Sequence, residues 1–326
     1  MTETALPNPA PAKPAPARPA RTLREWLTTN PVVLKELRGR MRGARAFVVL
    51  TMYLLVMIGF ITLLYSIYLS STSSVYSVPD RQLVGKFVFA GVVGIETLLV
   101  CFITPAFTVG AISGERERQT FDLLRTTLLP ARSLVMGKLI SALSYVFLLL
   151  LAALPLQSLA FLLGGVSVEE VLVASLLLMA TAVMFGTAGV FFSSLMRRTL
   201  GATVLTYAFV LLLTLGLPII LFPVVAFAGP LFGYGNAPIE LQISLMYLLG
   251  LLISTNPVAT MVATEAILVS NQTLFYFTAP IYNNLTGNSV NMPLISPWIP
   301  FTVFAFGVAI VFLLMSIVNV SRRENA

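Results

Sequence analysis

From residue 46 onward the chain is a succession of long apolar runs separated by short charged segments. A helix crossing a bilayer needs about 20 mostly apolar residues. Six runs meet that length: 46–68, 84–113, 139–163, 171–196, 200–227 and 298–320. No charge stands between Arg45 and Asp80, Arg197 and Arg198 close the fourth run, and Arg322 and Arg323 follow the sixth. A short turn containing Glu169 and Glu170 leads into the fourth. Between the fifth and sixth, 241–254 and 258–270 are apolar but too short to span, and Asn256-Pro257 parts them. They read as interfacial or re-entrant helices, with Pro257 in the first turn of the second, where proline is tolerated. Residues 271–300, rich in Asn, Thr and Pro, read as an exposed loop closing an external region at 228–297. The pattern predicts an all-α integral membrane protein with six spans in a transmembrane domain at 46–326.

Composition agrees with the pattern. The chain is 57% hydrophobic and 10% charged, whereas a soluble domain carries about 25% charged residues. Lipid must therefore be its main solvent. The net charge of +7 does not point to nucleic acid, because the cations sit in short clusters between uncharged stretches. Of the 20 Lys and Arg, 18 lie before residue 46, in the loop 114–138, at 197–198 or at 322–323. The positive-inside rule then places both termini in the cytoplasm, which requires an even number of spans. Six fits and seven does not. There is no histidine, and Cys101 is the only cysteine. An internal disulfide, a His/Cys metal site and a histidine-dependent triad are all excluded. No metal site and no catalysis by this chain are expected.

Residues 1–24 hold six prolines among alanines and lack the apolar core of a cleavable signal, so a disordered tail is expected. Residues 25–45 follow as an interfacial segment. There Asn30 and Pro31 suit a helix start, and Val33, Leu37 and Met41 fall on one face. Lys35, Glu36, Arg38 and Arg42 occupy other faces, as in an amphipathic helix lying among anionic headgroups. Pattern does not separate a topology anchor from a docking surface.

The most specific feature is the loop 114–138. Gly114 is expected to break the preceding helix, and the alternating charges Glu115, Arg116, Glu117 and Arg118 to be solvated. Phe121, Leu124 and Leu128 then recur at helical spacing up to Pro130, an amphipathic loop helix that could rest on lipid or on a partner. This loop resembles the first cytoplasmic loop of type-2 ATP-binding-cassette (ABC) exporter permeases, E-R-E-x-G-T-x-E-x-L-L-x-T-x-P followed by G-K. The matching positions are Glu115, Arg116, Glu117, Thr120, Leu123, Leu124, Thr127, Pro130, Arg132, Gly137 and Lys138, Arg132 standing in the short basic stretch before G-K. Gln119 replaces the usual Gly and Asp122 the usual Glu. The N-terminal N-P-V-x-x-K-E-L-R is similar to the elbow helix of the same permeases. The resemblance implies an ATPase-coupling helix formed by Glu115, Arg116, Glu117, Thr120, Phe121, Asp122, Leu124 and Leu128. It also implies a separate nucleotide-binding ATPase subunit carrying ATP and Mg, and a second permease half, either a second copy or a sister permease. No cofactor is expected on this chain, which has no phosphate-binding loop: Met136-Gly137-Lys138-Leu139 lacks the first glycine and the hydroxyl residue.

Glu96 is the only charge well inside a span, and Gln157 in the third span is a candidate partner. A buried ionisable residue in a membrane marks either a functional site or polar glue between helices. Ala182, Gly186 and Gly189 make a small-residue stripe for close packing, and Pro105, Pro155, Pro218 and Pro223 are candidate kinks. Three readings remain: an ABC exporter permease in the cell or inner membrane, an ion-coupled secondary transporter using Glu96, and a non-transporting membrane scaffold.

Overall fold

The computed structural model describes residues 44–72, 81–120, 130–220, 223, 239–271, 273–282 and 289–324. The tail, the segment bearing Lys35, Glu36, Arg38 and Arg42, and the loop positions Phe121, Asp122, Leu124 and Leu128 lie outside them.

The apolar runs form helices: α1 (Ala44–Thr72), α2 (Arg81–Thr108), α4 (Ala131–Leu163), α5 (Val168–Leu195), α6 (Thr199–Leu211) and α9 (Trp298–Glu324). Helix α6 continues through a π-turn at Leu212–Gly216. Between α2 and α4 stands the short α3 (Ser113–Glu117). Six helices among the described residues are long and apolar enough to cross a membrane. Two shorter ones, α7 (Ile239–Ile253) and α8 (Pro257–Asn271), meet at a bend of 118°. A bend that sharp turns the chain back, as a re-entrant pair would.

Helix α5 is the centre of the bundle and α1 its periphery: 67% of the apolar window of α5 is buried, against 17% for α1. The α5 stripe does what small residues do in lipid, letting neighbours approach closely. A Cβ on Gly189 would run into Thr108 of α2, and one on Gly186 would come within 2.8 Å of Leu143 Cδ2 in α4. The half-buried rings of Phe191 and Phe192 from α5, Phe209 from α6 and Phe312 from α9 pack on one another where these helices meet, with centroids 5.0–6.1 Å apart.

Several boundaries differ from expectation, each for a local reason. Helix α4 begins at Ala131, eight residues before the expected span, because Pro130 presets the entry to a helix. Glu169 and Glu170 belong to the first turn of α5, not to a connecting turn. Ser167 and Glu170 form a reciprocal capping box there, the S-x-x-E signature. The chain after α2 breaks at Val109–Ile112 instead of at Gly114, whose amide still bonds the Gly110 carbonyl at 3.1 Å. The expected exposed loop at 271–300 contains an antiparallel hairpin, β1 (Tyr276–Tyr282) with β2 (Ser289–Ile295), Tyr276 opposite Ile295. Aromatic and β-branched residues at alternate positions favour strands. Pro280 and Pro293 hide the signal, since proline is confined to edge strands and a two-stranded hairpin has only edges. Trp298 Nε1 donates to the Leu274 carbonyl at 2.7 Å and fastens the hairpin to α9.

Asn256 explains the bend. Its Oδ1 accepts from the Ala259 amide at 2.9 Å, capping α8 ahead of Pro257. Its Nδ2 donates to the carbonyls of Leu213 and Thr214 at 2.8 and 2.9 Å. A π-turn disturbs the regular carbonyl partners of a helix, and a side-chain amide from α7–α8 satisfies two of them.

Candidate functional site

The loop that carries the sequence signal starts as a knot between helix ends. The break at Val109–Ile112 leaves amides without helical partners. Ser193 Oγ, from α5, accepts from the amides of both Ile112 and Ser113 at 2.9 Å. Arg116 Nη1 donates to the carbonyls of Ser194 and Met196, both at 2.9 Å. These belong to the C-terminal end of α5, where a cation also suits the helix dipole. Glu117 does the converse at the start of α6, accepting from the Thr199 amide at 3.1 Å and from its hydroxyl at 2.7 Å. Glu115 pairs with Lys138 of α4 at 2.9 Å, and it also accepts from the Thr120 hydroxyl.

Of the charges expected to be solvated, Glu115 and Arg116 are part-buried in the bundle, whereas Glu117 and Arg118 are exposed, Glu117 while bonding Thr199. Three consecutive side chains join α3 to α4, to the end of α5 and to the start of α6. Arg118 and Gln119 are exposed. Gln119 sits at φ 57°, in the left-handed region that glycine occupies without steric cost. Sequence reasoning missed Ser193 and Thr199. Thr199 had a signal, a hydroxyl residue between Arg197-Arg198 and an apolar run; Ser193 had none.

The second constellation is inside the bundle. Glu96 is fully buried and Gln157 is 1% exposed. Tyr53 of α1 donates to Glu96 Oε1 at 3.1 Å, and Gln157 Nε2 of α4 donates to Oε2 at 2.5 Å. The sequence-based pairing of Glu96 with Gln157 is thus present, joined by a tyrosine that sequence reasoning did not select. Glu96 and Gln157 border a cavity of about 530 Å³ whose other walls are mainly apolar residues of α4 and α5. Among the described residues no group of His, Cys, Asp and Glu could hold a metal ion.

The family model for ABC-2 family transporter proteins matches residues 31–325. The chain belongs to this family. A comparison with curated proteins gave no match. The ABC-2 assignment agrees with the six helices among the described residues that are long and apolar enough to cross a membrane, and it makes the chain a multi-pass membrane subunit, the permease component of an ABC transporter. The match covers both constellations as well as the short α7–α8 pair and the hairpin.

Proposed function

We propose that this ABC-2 permease is one half of the membrane pathway of an ATP-driven exporter. A separate nucleotide-binding subunit hydrolyses ATP with Mg, and a second permease half, a copy or a sister chain, completes the pathway. Both termini and the loop 114–138 face the cytoplasm of a cell or inner membrane, as the Lys and Arg distribution supports. The observation that carries the coupling role is the knot at Glu115–Glu117. A push on a loop helix held only by its chain ends would be absorbed by slack. Here the loop's first turn is bonded to α4, α5 and α6 at once. A displacement of the loop must move those helix ends or break those bonds.

The test reconstitutes the permease with its ATPase in proteoliposomes. Leu124→Asp, at one of the positions whose spacing in the sequence predicts an apolar helix face, is expected to release the ATPase from the membrane. Glu117→Arg, which repels the start of α6, is expected to retain the ATPase but lose the permease's stimulation of ATP turnover. Retained binding and undiminished turnover in both variants would overturn the assignment.

One observation favours the ion-coupled reading, the buried Glu96 between two donors beside a cavity. The readings separate cleanly. Loss of transport in Glu96→Gln together with indifference to ATP depletion belongs to the ion-coupled mechanism, and dependence on ATP to the exporter.

A further inference from the structure

The cavity beside Glu96 has a one-sided polar chemistry. Four of its lining residues carry polar side chains: Glu96, Ser144, Gln157 and Ser175. The Ser144 hydroxyl donates to the Ile140 carbonyl at 2.7 Å and that of Ser175 to the Val171 carbonyl at 2.8 Å. Their oxygens retain acceptor capacity. An ionised carboxylate has about four acceptor sites, and Glu96 uses two of them on Tyr53 and Gln157. Gln157 Oε1 is buried and accepts no hydrogen bond. With Glu96 ionised, and apart from the second amide proton of Gln157, these groups offer acceptors only, and no Lys or Arg lines the space.

The walls between them are apolar, including Leu151 and Leu154, and the volume of about 530 Å³ lies in the range of small-molecule sites. Leu151 is 63% exposed and lies well inside the apolar run of α4, so the cavity opens on the side of the bundle and not through a loop. A ligand reaches such an opening from within the bilayer. An anionic head would meet Glu96 with no cation to receive it. A buried acceptor left without a donor costs free energy that a donor-bearing ligand recovers.

We propose that this cavity binds an amphiphile with an aliphatic chain and a primary ammonium head, the head donating to Glu96 and Gln157 Oε1. The proposal adds a ligand class to the permease reading. Its test measures equilibrium binding to the full chain without the ATPase, so failure of the coupling assignment does not touch the result.

The probe is radiolabelled dodecylamine, measured by scintillation proximity on the purified chain in phosphatidylcholine nanodiscs, with empty nanodiscs subtracted. Saturable binding is expected, displaced by unlabelled dodecylamine but not by dodecanoate or dodecyltrimethylammonium, which lack the N–H donors. Glu96→Gln is expected to weaken binding by about 10- to 100-fold, the scale of a hydrogen bond to a charged group. Leu151→Trp alters an exposed wall residue, leaves the Glu96 bonds intact and is expected to abolish binding by filling the space. Nanodiscs containing phosphatidylethanolamine divide the sources of the head group. Competition there assigns the site to a bilayer lipid, and its absence to a free amine. Equal binding of dodecylamine and dodecyltrimethylammonium, or unchanged binding in both variants, would overturn the proposal.

Discussion

The Glu115–Lys138 pair gives a measurable asymmetry. The Lys138 side chain is 6% exposed and that of Glu115 26%. Glu115→Ala leaves the Lys138 ammonium buried without this carboxylate, a change that costs about 3 kcal/mol for a buried pair. Lys138→Met leaves Glu115 partly in water and still bonded to Thr120, so about 1 kcal/mol is expected. A bundle of this size loses about 2 °C in Tm per kcal/mol. The expected falls are then about 6 °C for Glu115→Ala and about 2 °C for Lys138→Met.

The chain carries its own reporter for this measurement. Cys101 is the single cysteine, is free and is fully buried in α2. A maleimide dye that fluoresces on thiol addition therefore reports unfolding of the bundle core, at one fixed scan rate because membrane domains commonly unfold irreversibly. In the Lys138→Met background, Glu115→Ala is expected to lower Tm by no more than about 2 °C, since the buried charge is gone. An equal shift of Glu115→Ala in both backgrounds would show that the two residues are not coupled, and the knot would lose its strongest bond.

Three further outcomes follow with the same thiol readout. Gln119→Gly relieves a left-handed residue and is expected to raise Tm by about 2 °C, from a gain of about 1 kcal/mol; a fall would place the strain elsewhere. Gly189→Ala puts a methyl group onto Thr108 and is expected to cost about 2 kcal/mol, whereas Gly94→Ala meets nothing within 4 Å and is expected to be neutral or stabilising. Equal effects at the two sites would refute close packing of α5 on α2. Asn256→Ala removes two donations to the π-turn and one cap of α8, and a loss of about 3 kcal/mol is expected; a shift under 1 °C would detach the α7–α8 bend from the π-turn.

What could be read from the sequence was what lipid dictates. The apolar runs between Ala46 and Val320 had to be helices because an unpaired backbone has no solvent in a bilayer. The glycines at 186 and 189 were legible for a related reason, since small residues are what allows helices to approach in lipid. Glu96 was legible as an anomaly, and Gln157 as the amide able to answer it. Tyr53 was not, because nothing in the order of residues says which face of α1 meets α2. The charge pattern of Glu115–Arg118 was legible only in part. Glu117 and Arg118 are exposed, as alternation of sign suggests, but Arg116 and Glu117 also reach groups of α5 and α6 that lie 78 to 82 residues away, and Glu115 pairs with Lys138. Asn256 was legible only as part of the Asn256-Pro257 break between two short apolar runs, and its bonds to Leu213 and Thr214 depend on a π-turn that no periodicity signals. The hairpin was lost to its two prolines.

The geometry of the knot also accounts for the order of its charges. Helix α5 arrives with carbonyls unsatisfied and negative in sign, and α6 leaves with amides unsatisfied and positive, only four residues later. A single surface beside that turn must therefore present a cation and an anion next to each other. Arg116 and Glu117 are adjacent in sequence and reach one end each. Exchanging the two would preserve composition, hydropathy and net charge, but would aim an anion at carbonyls and a cation at amides. The third charge, Glu115, then holds this plate to α4 through Lys138. The Glu117 bonds are exposed at the edge of the apolar bundle, where water can replace them at modest cost, while the Lys138 and Arg116 bonds are part-buried. A tie of that kind is firm enough to carry a displacement and weak enough to be exchanged between two arrangements, which a helix end buried among apolar side chains would not be.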